Sequence, residues 1–159
     1  MCWCVYIGTS KPLSGVLFSK DCSYTIEEPP PPLHFQEVTE DEAECYGSLF
    51  KGKYLYSVGT NTGCGCGLER PYSILSYDNK KVIEYYDDTS PLAFIDFLKT
   101  HTRHEPLEMY VIWEDDRWTK PITKTRINAQ NMTINTYFKL KSRQFYTFYA
   151  LKLGSIPNM

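Results

Sequence analysis

Apolar and aromatic residues fall along this chain in short, unbroken runs, with one stretch at helical spacing. The first run, residues 2–8 (Cys-Trp-Cys-Val-Tyr-Ile-Gly), is compact and aromatic and predicts a first strand in a central position. Runs at 15–19 and 33–38 follow, separated by Pro29-Pro30-Pro31-Pro32. Four prolines favour an extended polyproline helix and read as a stiff connector, with a ligand for an aromatic-lined groove as the alternative. Residues 37–44 are acidic and suit either a short helix or a solvated loop.

Residues 53–59 predict a strand that runs into Thr60-Asn61-Thr62-Gly63-Cys64-Gly65-Cys66-Gly67. The glycines of that loop free the backbone for positive φ or for close approach. Residues 72–77 and 81–86 flank Asp78-Asn79-Lys80 as the arms of a hairpin. Helical spacing sets in at Ser90, whose hydroxyl suits a cap, with Pro91 at the first helical position and Leu92, Phe94, Ile95, Phe97 and Leu98 facing inward, so a helix is predicted over about 90–102. Strands are predicted at 107–113, 123–128 and 144–151. Strands outnumber helices without regular βα alternation, so the expected class is α+β: a mainly antiparallel sheet with that one helix packed on it. With no internal repeat and no long linker, residues 1–159 are expected to form a single domain.

Composition supports this and adds the setting. Hydrophobic residues at 42% and charged residues at 23% exclude a disordered or fibrous chain. Thirteen tyrosines within a 15% aromatic content suit a pleated, half-buried surface. No stretch reaches the ~20 apolar residues of a membrane span. The opening lacks a basic leader and meets Gly8, Thr9 and Lys11 too soon for a secretory apolar region, so the expected setting is the cytoplasm, away from membranes. In a reducing compartment the six cysteines read as thiols, metal ligands or catalytic groups, not as a disulfide framework.

The most specific feature is two Cys-x-Cys pairs, Cys2/Cys4 and Cys64/Cys66. Residues two apart in a strand share a face with Cα atoms ~6.6–7 Å apart, too wide for easy disulfide closure but workable for thiolates gripping one ion. Four converging thiolates suit tetrahedral Zn²⁺. The expected centre is therefore a structural zinc site of Cys2, Cys4, Cys64 and Cys66, which needs the start of the chain to lie against the glycine loop. Buried, unreactive thiols and a reversible redox pair at Cys64/Cys66 are the alternatives, and Cys22 and Cys45 are expected to be bystanders.

Cys2 also permits a catalytic reading. With Met1 removed it carries a thiol beside an α-amine of ordinary pKa ~7.7–8.0, the arrangement of an N-terminal nucleophile, and amides around residues 63–67 could serve an oxyanion. The Met1-Cys2 start resembles that of class II glutamine amidotransferases over these two residues alone. That resemblance implies a cysteine hydrolase or amidase with Cys2 as nucleophile, but Trp3-Cys4 stands where the family continues Gly-Ile, and the chain is short for its four-layer fold.

Charge is divided unevenly. Residues 1–116 hold all nineteen acids and nine Lys/Arg, whereas residues 117–159 hold eight Lys/Arg and no acid. In the basic quarter, cations interleave with rings: Arg117, Lys120, Lys124, Arg126, Lys139, Lys141 and Arg143 with Trp118, Tyr137, Phe138, Phe145, Tyr146, Phe148 and Tyr149. Cations for phosphate and rings for stacking suit a nucleotide, a single-stranded nucleic acid or another anion. Arg126, Lys139, Lys141, Arg143, Tyr137 and Tyr146 are the expected ligand contacts, the three cations at 139, 141 and 143 sharing one face if extended. Pairing of these segments with the acidic strands is the plainer account. The net charge of −2 disfavours a long polyanion and leaves a small anionic ligand or a protein partner.

His101 and His104 could share a helix face toward a metal, though histidines suit a helix C-terminus without one. Asp87-Asp88 and Glu114-Asp115-Asp116 could host acid–base pairs or Mg²⁺, but read as solvated turns. There is no phosphate-binding loop and no nucleophile elbow. The sequence thus points to a small binding domain with a thiol-rich site.

Overall fold

The segments Trp-Cys-Val-Tyr-Ile-Gly-Thr and Leu-Glu-Met-Tyr-Val-Ile-Trp have almost no polar face to offer water. Such strands belong mid-sheet with both faces covered, and the computed structural model, which describes residues 2–14, 31–69, 73–78, 81–137 and 139–151, places them so. In chain order the elements are β1 (Trp3–Thr9), β2 (Leu33–Glu37), α1 (Glu40–Tyr46), β3 (Tyr54–Thr60), β4 (Ser73–Asp78), β5 (Lys81–Tyr86), α2 (Thr89–His101), β6 (Leu107–Trp113), β7 (Thr123–Asn128) and β8 (Gln144–Tyr149). Six of the strands form one sheet in the order β2-β3-β1-β6-β8-β7, and β4 with β5 forms a separate hairpin. Every pairing in the large sheet is antiparallel except β7 with β8. The class is α+β, as the sequence predicts.

Strand pleat divides the core into two. Trp3, Val5 and Ile7 of β1, with Leu107, Met109 and Val111 of β6, pack against Phe94, Ile95 and Leu98 of α2. On the opposite face Tyr6, Tyr110, Ile112 and Phe145 meet Tyr46 of α1 and Phe50. Tyr46 is central there, its ring centroid 4.9 Å from that of Tyr6 and 5.5 Å from that of Tyr110.

The acidic stretch proves to be the helix α1, and its start shows why. Thr39 Oγ1 accepts from the Glu42 amide at 3.2 Å while Glu42 Oε2 accepts from the Thr39 amide at 2.9 Å, a reciprocal capping box. Glu42 Oε1 in turn accepts from the buried Tyr6 hydroxyl at 2.9 Å, tying the helix to the sheet. Thr39→Ala should lower stability by about 1 kcal/mol, read as a shifted urea midpoint with unchanged slope. An unshifted midpoint would show that the cap does not hold α1.

Three expectations change. Ser90 does not cap α2: it is buried, its hydroxyl donating to Asn61 Oδ1 at 2.8 Å and accepting from the Asn61 amide at 3.3 Å, while Asp87 Oδ1 accepts from the Thr89 amide at 3.0 Å. Leu92, expected inward, is exposed. Residues 139–143 are not a strand but an irregular stretch closing in a turn with Arg143 at φ 60°, so their charges have no common strand face. The apolar run at 15–19, Cys22, Pro29 and Pro30, the hairpin tip at 79–80 and Phe138 lie outside the described residues. No helix among the described residues is long and apolar enough to cross a membrane.

Candidate metal centre

β3 ends at Thr60 and the chain doubles back at once. The Gly63 amide donates to the Thr60 carbonyl at 2.8 Å, with Gly63 at φ 83°, a conformation that glycine adopts without strain. The Thr60 hydroxyl donates to the Cys64 carbonyl at 2.6 Å. Cys64 then opens a single 3-10 turn, Gly65–Leu68, its sulfur accepting from the Cys66 amide at 3.5 Å.

This turn lies directly on the start of β1. The Trp3 amide donates to Cys66 Sγ at 3.3 Å, and Trp3 Nε1 donates to Glu69 Oε2 at 2.8 Å. Trp3 also stacks on Trp113 with centroids 3.9 Å apart, and the Cys2 carbonyl accepts from the Glu114 amide at 3.0 Å, so the strand start is fixed from both sides. The approach depends on Gly65: a Cβ there would sit 2.7 Å from Val5 Cγ2 and 2.8 Å from the Trp3 carbonyl oxygen. The expected meeting of the chain's start with the glycine loop is thus present.

Cys2, Cys64 and Cys66 bring their sulfurs within 4.8 Å of one another, and this group can hold a metal ion. Thiolates on tetrahedral zinc, with Zn–S bonds of about 2.3 Å, lie about 3.8 Å apart, so small side-chain rotations suffice to close the set. The thiols differ in character. Burial pushes Cys66 up to about 12, an effect the Trp3 amide only partly offsets. Burial also acts on Cys64, but hydrogen bonds from the Cys66 amide and thiol, the Thr62 hydroxyl and the Cys2 thiol outweigh it and hold Cys64 below the ordinary thiol range. Amide donors aimed at sulfur are the outer partners that steady thiolate ligands.

Cys4 stands outside this group. Cys2 precedes β1 and does not follow its pleat, so the same-face rule does not carry from Cys4 back to Cys2. Cys4 packs instead on the Tyr6 face. Burial raises its thiol, with the neighbouring Arg117 acting in the opposite direction. Cys45 lies on α1 against the same core, and the five described cysteines are all free thiols.

Not all of the basic, aromatic residues reach the surface. Tyr146 is buried in the α2-side core and its hydroxyl donates to the Lys139 carbonyl at 3.3 Å; Tyr137 packs against that core too. Arg126 lies on exposed β7 over the Tyr149 ring, 5.1 Å from its centroid, Lys139 and Lys141 flank buried Leu140, and Arg143 Nε donates to the Lys120 carbonyl at 3.2 Å. Two of the expected stacking rings therefore serve the core. Three further candidates lie beside structural partners. His101 Nε2 lies 3.2 Å from Glu105 Oε1, Asp87 accepts from Asn61 Nδ2 at 2.8 Å, and Asp116 Oδ2 accepts from Ser142 Oγ at 2.6 Å.

One feature has no sequence signature. A cavity of about 360 Å³ opens beside the thiols, lined by Cys4, Tyr6, His34, Glu42, Cys64 and Arg117 among others. Its residues come from β1, β2, β3, α1, the glycine loop and the segment after β6, so no spacing along the chain announces it. Cys64 belongs both to this cavity and to the sulfur group. Compared with known proteins, the chain matches no family model, no curated protein and no solved structure.

Proposed function

We propose that this chain is a zinc-binding domain in which Cys2, Cys64 and Cys66 supply three thiolate ligands. The observation that carries the reading is the gathering of three sulfurs within 4.8 Å across more than sixty residues of sequence, with backbone amides donated to two of them. Soft thiolates select zinc, Cu(I) or iron–sulfur clusters over magnesium or calcium. Isolated sulfurs on a short turn suit a single d¹⁰ ion. Bound there, the ion would tie the loop after β3 to the start of β1 and add its binding energy to folding.

Elemental analysis of untagged protein, purified without chelator, tests this. One zinc per chain, removed by chelation with a fall in melting temperature, is the expected result. Absence of zinc together with no uptake by reduced apoprotein in a chelator competition would end the reading, and one Cu(I) per chain would replace the ion.

A further inference from the structure

Three thiols gathered in one place can give up electrons as well as hold an ion. The sulfurs of Cys2, Cys64 and Cys66 lie within 4.8 Å of one another, within side-chain reach of a disulfide of ~2.05 Å. All three are free thiols of intermediate burial. They are not equally placed. Cys64 lines the cavity of about 360 Å³, whereas neither Cys2 nor Cys66 does, so a small oxidant entering there meets Cys64 first. Cys4 shares the cavity but stands outside the sulfur group.

Two thiols flank Cys64, and the turn favours one of them as its partner. Cys66 packs against the α2-side core, and its sulfur accepts from the Trp3 amide at 3.3 Å. Its own amide donates to Cys64 Sγ at 3.5 Å, and Gly65 between the two is pressed onto β1, with no room for a Cβ beside Val5 Cγ2 and the Trp3 carbonyl oxygen. Bridging Cys64 to Cys66 would pull that seated turn apart. Cys2 precedes β1, and its thiol already donates to Cys64. A Cys2–Cys64 bond also closes a loop of more than sixty residues and stabilises by restricting the unfolded chain, whereas a Cys64–Cys66 bond closes almost none.

We propose that Cys64 is an oxidation site for hydroperoxides, resolved by Cys2 to a Cys2–Cys64 disulfide. In the first step the Cys64 sulfur attacks a peroxide oxygen: an S–O bond forms, the O–O bond breaks, and the departing oxygen leaves with the thiol proton, as water when the oxidant is hydrogen peroxide. In the second the Cys2 sulfur attacks the Cys64 sulfenic acid: the S–S bond forms, the S–O bond breaks, and the hydroxyl leaves with the Cys2 proton as a second water. The two sulfurs are oxidised by two electrons and the peroxide is reduced. Release of an ion by this step rests on the zinc reading, since the bond consumes two of the three ligands. The loop after β3 then stays tied to the start of β1, by metal when reduced and by a covalent bond when oxidised.

The test treats the full chain, freed of reductant, with a few equivalents of hydrogen peroxide, both as apoprotein and after loading with zinc. Free thiols are then alkylated and the peptides mapped by mass spectrometry without reduction. The apoprotein should lose two of its six thiols and yield a linked Cys2–Cys64 peptide, with Cys4 and Cys45 still alkylated. The loaded chain should release one zinc as the same bond forms, and a phosphine reductant should restore both thiols and zinc uptake. Cys2→Ser should leave a sulfenic acid at Cys64 that dimedone traps, while Cys66→Ser should still form the bond. A Cys64–Cys66 bridge, or sulfonic acid at Cys64 without a bridge, overturns the proposal and leaves the zinc reading standing. A Cys2–Cys64 bridge in a chain that keeps its zinc overturns both. The same bridge in a chain that never takes up zinc removes the zinc reading and upholds the oxidation site.

Discussion

Cys66→Ser should weaken zinc binding on the order of 100-fold or more, while Cys4→Ser leaves it within about twofold. Structural zinc sites bind with roughly 10–16 kcal/mol, so one ligand of a tetrahedral set is worth about 3 kcal/mol, a hundredfold or more in affinity. Serine keeps the size of cysteine but loses the soft thiolate donor. Cys66 is the stringent choice because its sulfur also accepts from the Trp3 amide. Cys4 is the control, since it shares β1 with that amide yet points into the Tyr6 face. Chelator competition on reduced protein gives both numbers, and circular dichroism confirms that each variant folds. Equal losses at Cys4 and Cys66 would mean that four cysteines converge and that Cys2, Cys64 and Cys66 alone are not the centre.

That contrast marks where the sequence was legible. The two Cys-x-Cys pairs and the glycines between them announced a thiol site, because few other arrangements justify so many glycines around cysteine at the end of a strand. Strand pairing then brought the halves together: β1 lies beside β3, so the loop leaving β3 is delivered to the start of β1. What spacing could not supply was the pleat at the first residues. The period-two rule holds inside a strand, and Cys2 is one residue short of it.

The common face expected for residues 139–143 failed for a related reason. Alternation of cations and rings reads as one decorated face only if the segment is a strand. Buried Leu140 and the left-handed Arg143 instead break residues 139–143 away from β8. Tyr146 then follows the pleat of β8 into the α2-side core, opposite Phe145. Of the basic segment, Arg117 lines the cavity beside Cys64, brought there by the turn after β6. The fold itself was readable because nearly every strand was a separate apolar run, while contacts between distant segments leave no mark on local spacing.

Gly65→Ala carries the second large effect, and Gly63→Ala separates its cause. At position 65 the added methyl meets backbone as well as side chain, 2.8 Å from the Trp3 carbonyl oxygen and 2.7 Å from Val5 Cγ2. Val5 is buried mid-strand between β3 and β6 and cannot yield, so the 3-10 turn must lift from β1. Overpacking of this kind costs about 1–3 kcal/mol. The movement also stretches the hydrogen bond from the Trp3 amide to Cys66 and parts Cys66 and Cys64 from Cys2, so zinc affinity should fall together with stability. At position 63 the same substitution meets no atom within 4 Å. Its penalty is that of an L-residue at φ 83°, about 1–2 kcal/mol, and the sulfurs keep their places. Urea unfolding of the apoproteins combined with zinc competition should therefore find both variants destabilised, and only Gly65→Ala impaired in binding. Equal zinc affinities in the two would show that contact of the turn with β1 does not assemble the centre.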